Sequence, residues 1–274
     1  MGTRLIALDL DGTLLNEKMH VSEKTRQVME LCAQRGIEIV PATGRALSAV
    51  PEEVLSLPGV HYGIFTNGAV VRDFGKNTWV SESCLSWEKT IRVIEVLRRH
   101  PVIYDMYVSE GGVSETRLLA QLEEYGIPER ECAYIRATRR AVTDMVEYLR
   151  EKKCPVQKMN LNFKDRESKQ AVREKLEAMP EVLVTSSLPW NLELNAAGIT
   201  KGSGLRNLCQ YLGIEAEETM AFGDGENDWP MLEAAGIGVA MENGAPFLKE
   251  RADRIAASNR EEGVAEAIRQ WVLI

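Results

Sequence analysis

Leu5-Ile6-Ala7-Leu8-Asp9-Leu10-Asp11-Gly12-Thr13-Leu14 opens the chain with an apolar run that breaks onto two carboxylates and a glycine. Residues 5–10 have the near-continuous apolarity of a strand buried on both faces of a parallel sheet. Side chains at i and i+2 point the same way along a strand, so Asp9 and Asp11 face one site. In open α/β sheets ligands bind at the carboxyl ends of the strands. Two acids there are costly to bury unless a cation or hydrogen bonds neutralise them. The plain alternative is that both acids, with Gly12, cap the next turn.

Working outward, Ser22 is a candidate N-cap for a helix that turns Val28, Leu31 and Cys32 inward and stops at Gly36. Residues 37–40 form a second short strand, ending in Pro41-Ala42-Thr43-Gly44, and residues 63–66 a third, ending at Asn67-Gly68. The last third repeats the style. A helix over 202–212 carries Leu205, Leu208 and Leu212; strands cover 219–222 and 236–241; helices cover 245–251 and 262–271. Strands alternating with helices predict an α/β fold with a doubly wound, mostly parallel sheet.

The middle differs. An amphipathic helix is predicted over 86–99, residues 157–163 alternate apolar and polar as in a half-solvated strand, and 182–186 with 190–194 form a hairpin. The change of pattern predicts an α+β domain at 82–193 inserted into a core of residues 1–81 and 194–274, with hinges near 81–83 and 191–196.

The 274 residues are 45% hydrophobic and 27% charged, ordinary values for a globular protein. No window approaches the roughly 18–20 apolar residues of a membrane span, and two carboxylates within the first eleven residues argue against a secretory leader. A cytoplasmic protein is expected. Five scattered cysteines without a Cys-x-x-Cys pair, and three distant histidines, argue against disulfides or a structural zinc. A net charge of −8 disfavours nucleic acid as a partner.

Other strand ends carry matching chemistry. Thr43-Gly44-Arg45 offers a hydroxyl, main-chain N–H groups and a helix start that suit a phosphate, although an ordinary N-cap reads the same way. Lys201 begins a helix, where the dipole prefers an anion; such a lysine is commonly solvated, but a bound phosphate would neutralise it. Gly223-Asp224-Gly225-Glu226-Asn227-Asp228 clusters oxygen ligands for a hard cation, and without the twelve-residue calcium pattern Mg²⁺ is the expected metal. Together these residues describe phosphoryl transfer through a carboxylate. Asp9 attacks phosphorus, Asp11 protonates the leaving alkoxide and later deprotonates water, and Lys201 with Mg²⁺ holds the oxyanions.

Asp9-Leu10-Asp11-Gly12-Thr13-Leu14, Ala42-Thr43-Gly44-Arg45, Lys201-Gly202 and Gly223-Asp224 through Asn227-Asp228 resemble, in order, the four motifs of the haloacid dehalogenase-like phosphatases. The branch resembled is the Cof type with a large α/β cap. The resemblance implies a Mg²⁺-dependent phosphatase acting on a small phosphorylated metabolite, such as a sugar phosphate, a nucleotide-like compound or a flavin precursor. Mg²⁺ would be held by Asp9, Asp224 and the main-chain carbonyl of Asp11, with Asp228 steadying metal waters or Lys201. Leu10, Thr43, Gly44, Asn227 and Lys201 would meet the phosphate, and Arg45 would reach toward substrate. The inserted domain would close over the site and set specificity. A phosphomutase sharing the aspartyl-phosphate is the alternative; a binding protein without turnover is a third reading.

Overall fold

The computed structural model describes residues 2–273. The chain begins with β1 (Leu5–Leu8), α1 (Glu23–Gln34), β2 (Glu38–Pro41), α2 (Glu52–Leu55), β3 (Tyr62–Phe65), β4 (Val70–Asp73) and β5 (Thr78–Glu82). It continues with α3 (Trp87–Leu97), β6 (Ile103–Val108), β7 (Gly111–Glu115), α4 (Thr116–Leu119), α5 (Glu129–Thr138) and β8 (Arg139–Val142). Next come α6 (Met145–Lys152), β9 (Lys158–Asn162), α7 (Arg166–Glu177), β10 (Val182–Thr185) and β11 (Asn191–Ala196). The last stretch holds α8 (Lys201–Leu212), β12 (Thr219–Gly223), α9 (Trp229–Ala234), β13 (Ile237–Met241), α10 (Pro246–Arg251), β14 (Arg254–Ala256) and α11 (Gly263–Trp271). Two compact units result: Met1–Glu82 with Ile199–Ile274, and Ser83–Gly198.

In the first unit β1 lies inside a five-stranded parallel sheet of order β14-β13-β12-β1-β2. All four β1 residues are buried, because alternate side chains meet different helices. Ile6 and Leu8 pack with Val28 and Met29 of α1 and Ile268 of α11. Leu5 and Ala7 pack with Leu205 and Leu208 of α8 and Met231 of α9. Each large side chain taken fully out of water contributes about 1.5–3 kcal/mol. The helices start where the sequence provides caps: the Ser22 hydroxyl accepts from the Thr25 amide, and Thr200 and Ser203 form a reciprocal box at the head of α8.

β3 does not join this sheet as the sequence pattern suggests. It belongs to an antiparallel β3-β4-β5 sheet, linked to the end of β2 by an isolated parallel bridge between Ala42 and Ile64. A tight turn joins it to β4. Thr66, Asn67 and Gly68 have φ of 48°, 57° and 95°, which reverses the chain into β4. Gly68 also lacks room for a side chain, since a Cβ there would collide with the Thr200 carbonyl.

The second unit is a six-stranded sheet of order β10-β11-β9-β6-β7-β8, antiparallel except for β7 with β8. Met159 and Leu161 of β9 and Leu192 and Leu194 of β11 pack with Ile94, Met145 and Leu176 of α3, α6 and α7. Between these apolar positions lie Lys158, Asn160 and Glu193, on the side chains' alternate direction, together with Asp105 and Tyr107 of β6. Arg139 pairs with Asp105 at 2.9 Å and Lys158 with Glu193 at 2.9 Å. Residues 191–196, expected as a hinge and partly as core, are instead strand β11, paired on both sides. Its buried leucines commit it to this sheet, and the division between the units falls after Gly198. Among the described residues no helix is long and apolar enough to cross a membrane.

Candidate active site

The carboxyl ends of β1, β2 and β12 and the first turn of α8 bring the site together. Asp9 follows β1 directly, and its amide donates to the Phe222 carbonyl of β12 at 3.1 Å. Lys201, the first residue of α8, is fully buried. Its Nζ lies 2.5 Å from Asp9 Oδ1 and 2.6 Å from Asp228 Oδ1. The second oxygen of Asp228 accepts the amides of Asp224 and Gly225 at 2.9 and 2.8 Å, which shapes the loop after β12. Thr13 Oγ1 donates to Asp224 Oδ1 at 3.1 Å.

Ligand oxygens of Asp9, Asp224 and Asp228 lie within 4.8 Å of one another. Burial, then the charges of Asp228, Asp224 and Asp11, push the Asp9 carboxyl well above its usual range, with Lys201 opposing. Burial and Asp228 push Asp224 up to about 7. Burial favours the neutral Lys201 amine, but Asp228 and Asp9 outweigh it and hold the ammonium above its usual range. Three carboxylates facing one ammonium leave a deficit of positive charge. Clustered carboxylate oxygens are what a hard divalent cation binds, so the donor set fits Mg²⁺.

The remaining expected residues lie close by in the fold. Leu10 is buried and packs its side chain into the apolar core, so only its main chain can serve a ligand. Thr43 Oγ1 accepts the Arg45 amide at 3.1 Å, the cap-like turn that the motif suggested, with Gly44 between them. Asn227 donates its side-chain amide to Asn67 Oδ1 at 3.1 Å. Asp11 stands apart from the acidic cluster, with its carboxylate gripped by Arg45 rather than by Lys201.

Three contributors had no role assigned from the sequence. Thr13 orients Asp224, and Asn67 orients Asn227. Asn243 donates to the Gly12 carbonyl at 2.8 Å and so braces the turn after Asp9. Each follows an apolar strand, as the recognised motifs do, and that shared position was the available signal.

A family profile described as haloacid dehalogenase-like hydrolase matches residues 6–268. 5-amino-6-(5-phospho-D-ribitylamino)uracil phosphatase YcsE of Bacillus subtilis is 31% identical over 274 residues, covering 98% of this chain and 96% of its own. A haloacid dehalogenase-like hydrolase structure from B. subtilis superposes with a TM-score of 0.85 at 28% identity, covering 98% and 100% of the two chains. The subclass IIB sugar phosphatase BT4131 does so with a TM-score of 0.82 at 25% identity, covering 99% and 100%.

Proposed function

The chain belongs to the haloacid dehalogenase-like hydrolases as a Cof-type phosphoric monoester hydrolase, and we propose that it works through an aspartyl-phosphate on Asp9. The observation that carries this reading is Lys201 buried between Asp9 and Asp228 beside Asp224. An ammonium so placed opposes the upward push of burial and acidic neighbours on the Asp9 carboxyl and offers charge to an incoming phosphate.

Asp9 attacks phosphorus in line, and the bond to the bridging oxygen breaks as Asp11 gives that oxygen a proton. Water then attacks the phosphorus, Asp11 takes its proton, and Asp9 leaves as carboxylate. The sum is one ester and one water converted to one alcohol and one phosphate. Lys201 and the Gly44 main-chain N–H meet the non-bridging oxygens, the Thr43 amide being held by the Ile64 carbonyl and the Arg45 amide by Thr43 Oγ1. Asp9 and Asp224, with the Asp11 carbonyl, would hold Mg²⁺. Asp228, with Lys201 on one oxygen and two amides on the other, braces that arrangement. When bound, Mg²⁺ supplies neutralising charge to the phosphate oxygens.

The substrate class is a small phosphate monoester with a polyhydroxylated or heterocyclic leaving group. The names of a ribitylaminouracil phosphatase and a sugar phosphatase among its likenesses support this reading. The test is release of inorganic phosphate from a panel of such esters with and without Mg²⁺. Asp9→Asn should abolish release; activity that survives it would remove Asp9 as nucleophile.

A further inference from the structure

Asp11 is held differently from the other carboxylates of the site. Asp9 and Asp228 are fixed by burial and by Lys201, and Asp224 by Thr13. The Asp11 side chain is 48% exposed. A carboxylate in that setting samples several rotamers unless a partner selects one. The partner is Arg45, whose Nε lies 2.8 Å from Oδ2 and whose Nη2 lies 2.5 Å from Oδ1. Two parallel charge-assisted hydrogen bonds fix direction as well as distance.

Arg45 is itself braced. Its remaining nitrogen, Nη1, donates to the Ala49 carbonyl at 3.1 Å. Its amide donates to Thr43 Oγ1 at 3.1 Å, and its carbonyl accepts the Thr66 amide at 2.9 Å. With its guanidinium held by Asp11 and the Ala49 carbonyl and its main chain held by Thr43 and Thr66, Arg45 is a fixed clamp.

We propose that Arg45 is the positioning residue of the acid–base step: it aims the Asp11 carboxyl at the bridging oxygen instead of taking up the substrate's phosphate. The proposal rests on the roles given to Asp9 and Asp11 above. Arg45 itself transfers no proton. One Asp11 oxygen stays on the fork while the other delivers a proton to the departing alkoxide, and later receives one from water.

The test separates aiming from phosphate binding through the leaving group. An alkoxide needs a proton to depart, whereas p-nitrophenolate leaves unaided. For Arg45→Met, kcat/KM on an alkyl phosphate should fall about 10- to 100-fold, part of the roughly 10²–10⁴ that a positioned acid supplies. On p-nitrophenyl phosphate kcat/KM should change less than about threefold, and the inhibition constant of inorganic phosphate should hold. Asp11→Asn should show the same selectivity, and the double variant should be no slower than Asp11→Asn alone. Arg45→Lys, which keeps charge but loses the fork, should share the defect and serves if Arg45→Met fails to fold. Equal losses on both substrates with weaker phosphate inhibition, multiplying losses in the double variant, or no loss at all would each overturn the proposal. Activity surviving in Asp9→Asn would sink the underlying mechanism instead.

Discussion

The Lys201 ammonium lies 2.6 Å from one oxygen of Asp228, and the other oxygen of that carboxylate gathers the amides of Asp224 and Gly225. One side chain therefore ties the head of α8 to the loop that presents Asp224. Replacing Asp228 by alanine removes both functions. The two freed amides alone are expected to cost about 2 kcal/mol of stability, measured by denaturant unfolding. Half-maximal activation should need more Mg²⁺ than in the parent, and an unchanged Mg²⁺ requirement would contradict the bracing role.

Lys201→Met keeps the volume and deletes the charge. The carboxylates of Asp9 and Asp228 then face each other without their shared ammonium. Removing one partner from a buried pair typically costs about 3–5 kcal/mol. The metal-free variant should melt well below the parent, and Mg²⁺ should narrow the gap without restoring turnover. Equal melting with and without Mg²⁺ would count against a cation at the three carboxylates.

Gly12 has φ of 86°, and a Cβ there would run into the Asp224 carboxylate. Gly12→Ala should strain the backbone by about 1–3 kcal/mol. It should also displace Asp224, so kcat falls and the Mg²⁺ requirement rises, as steady-state kinetics across a Mg²⁺ series would read.

Arg139 in the second unit pairs with Asp105, which also accepts from Asn160 at 2.8 Å. Arg139→Met strands a buried carboxylate, and the expected loss is about 3–5 kcal/mol. Urea unfolding measures it, and Asp105→Asn combined with Arg139→Met should recover part of the loss.

Burial pushes the thiols of Cys32 and Cys209 up to about 11. The thiolate is the nucleophile, so at pH 8 only about one thiol in a thousand is reactive at these positions. Iodoacetamide should modify Cys84, which is only partly buried, before either of them. The rates at Cys32 and Cys209 should rise about tenfold per pH unit toward 11. Mass spectrometry of timed samples checks the order.

What the sequence revealed was local in origin. Asp9 and Asp11 could be read because apolar residues before them and Gly12 after them mark a strand end within one short stretch. The caps at Ser22 and Thr200 and the alternation of residues 157–163 are local in the same sense. Asn67 and Asn243 were missed because their partners, Asn227 and Gly12, lie 160 and 231 positions away. The reversal of β3 into an antiparallel hairpin with β4 runs through two left-handed residues, Thr66 and Asn67, that composition does not flag. The family resemblance points Arg45 toward substrate; its grip on Asp11 exists only once β1 and β2 are adjacent.

The register that pairs Leu5 with Thr219 has a consequence for how the protein is made. A ribosome finishes β1 and β2 early, yet the strand on the other side of β1 emerges only after the whole of Ser83–Gly198. The inserted unit is contiguous and can fold as it leaves the tunnel, while the catalytic sheet waits with an unsatisfied edge. A nascent chain stalled at Gly198 therefore carries a finished guest inside an unfinished host, and the latter is the part most in need of a chaperone.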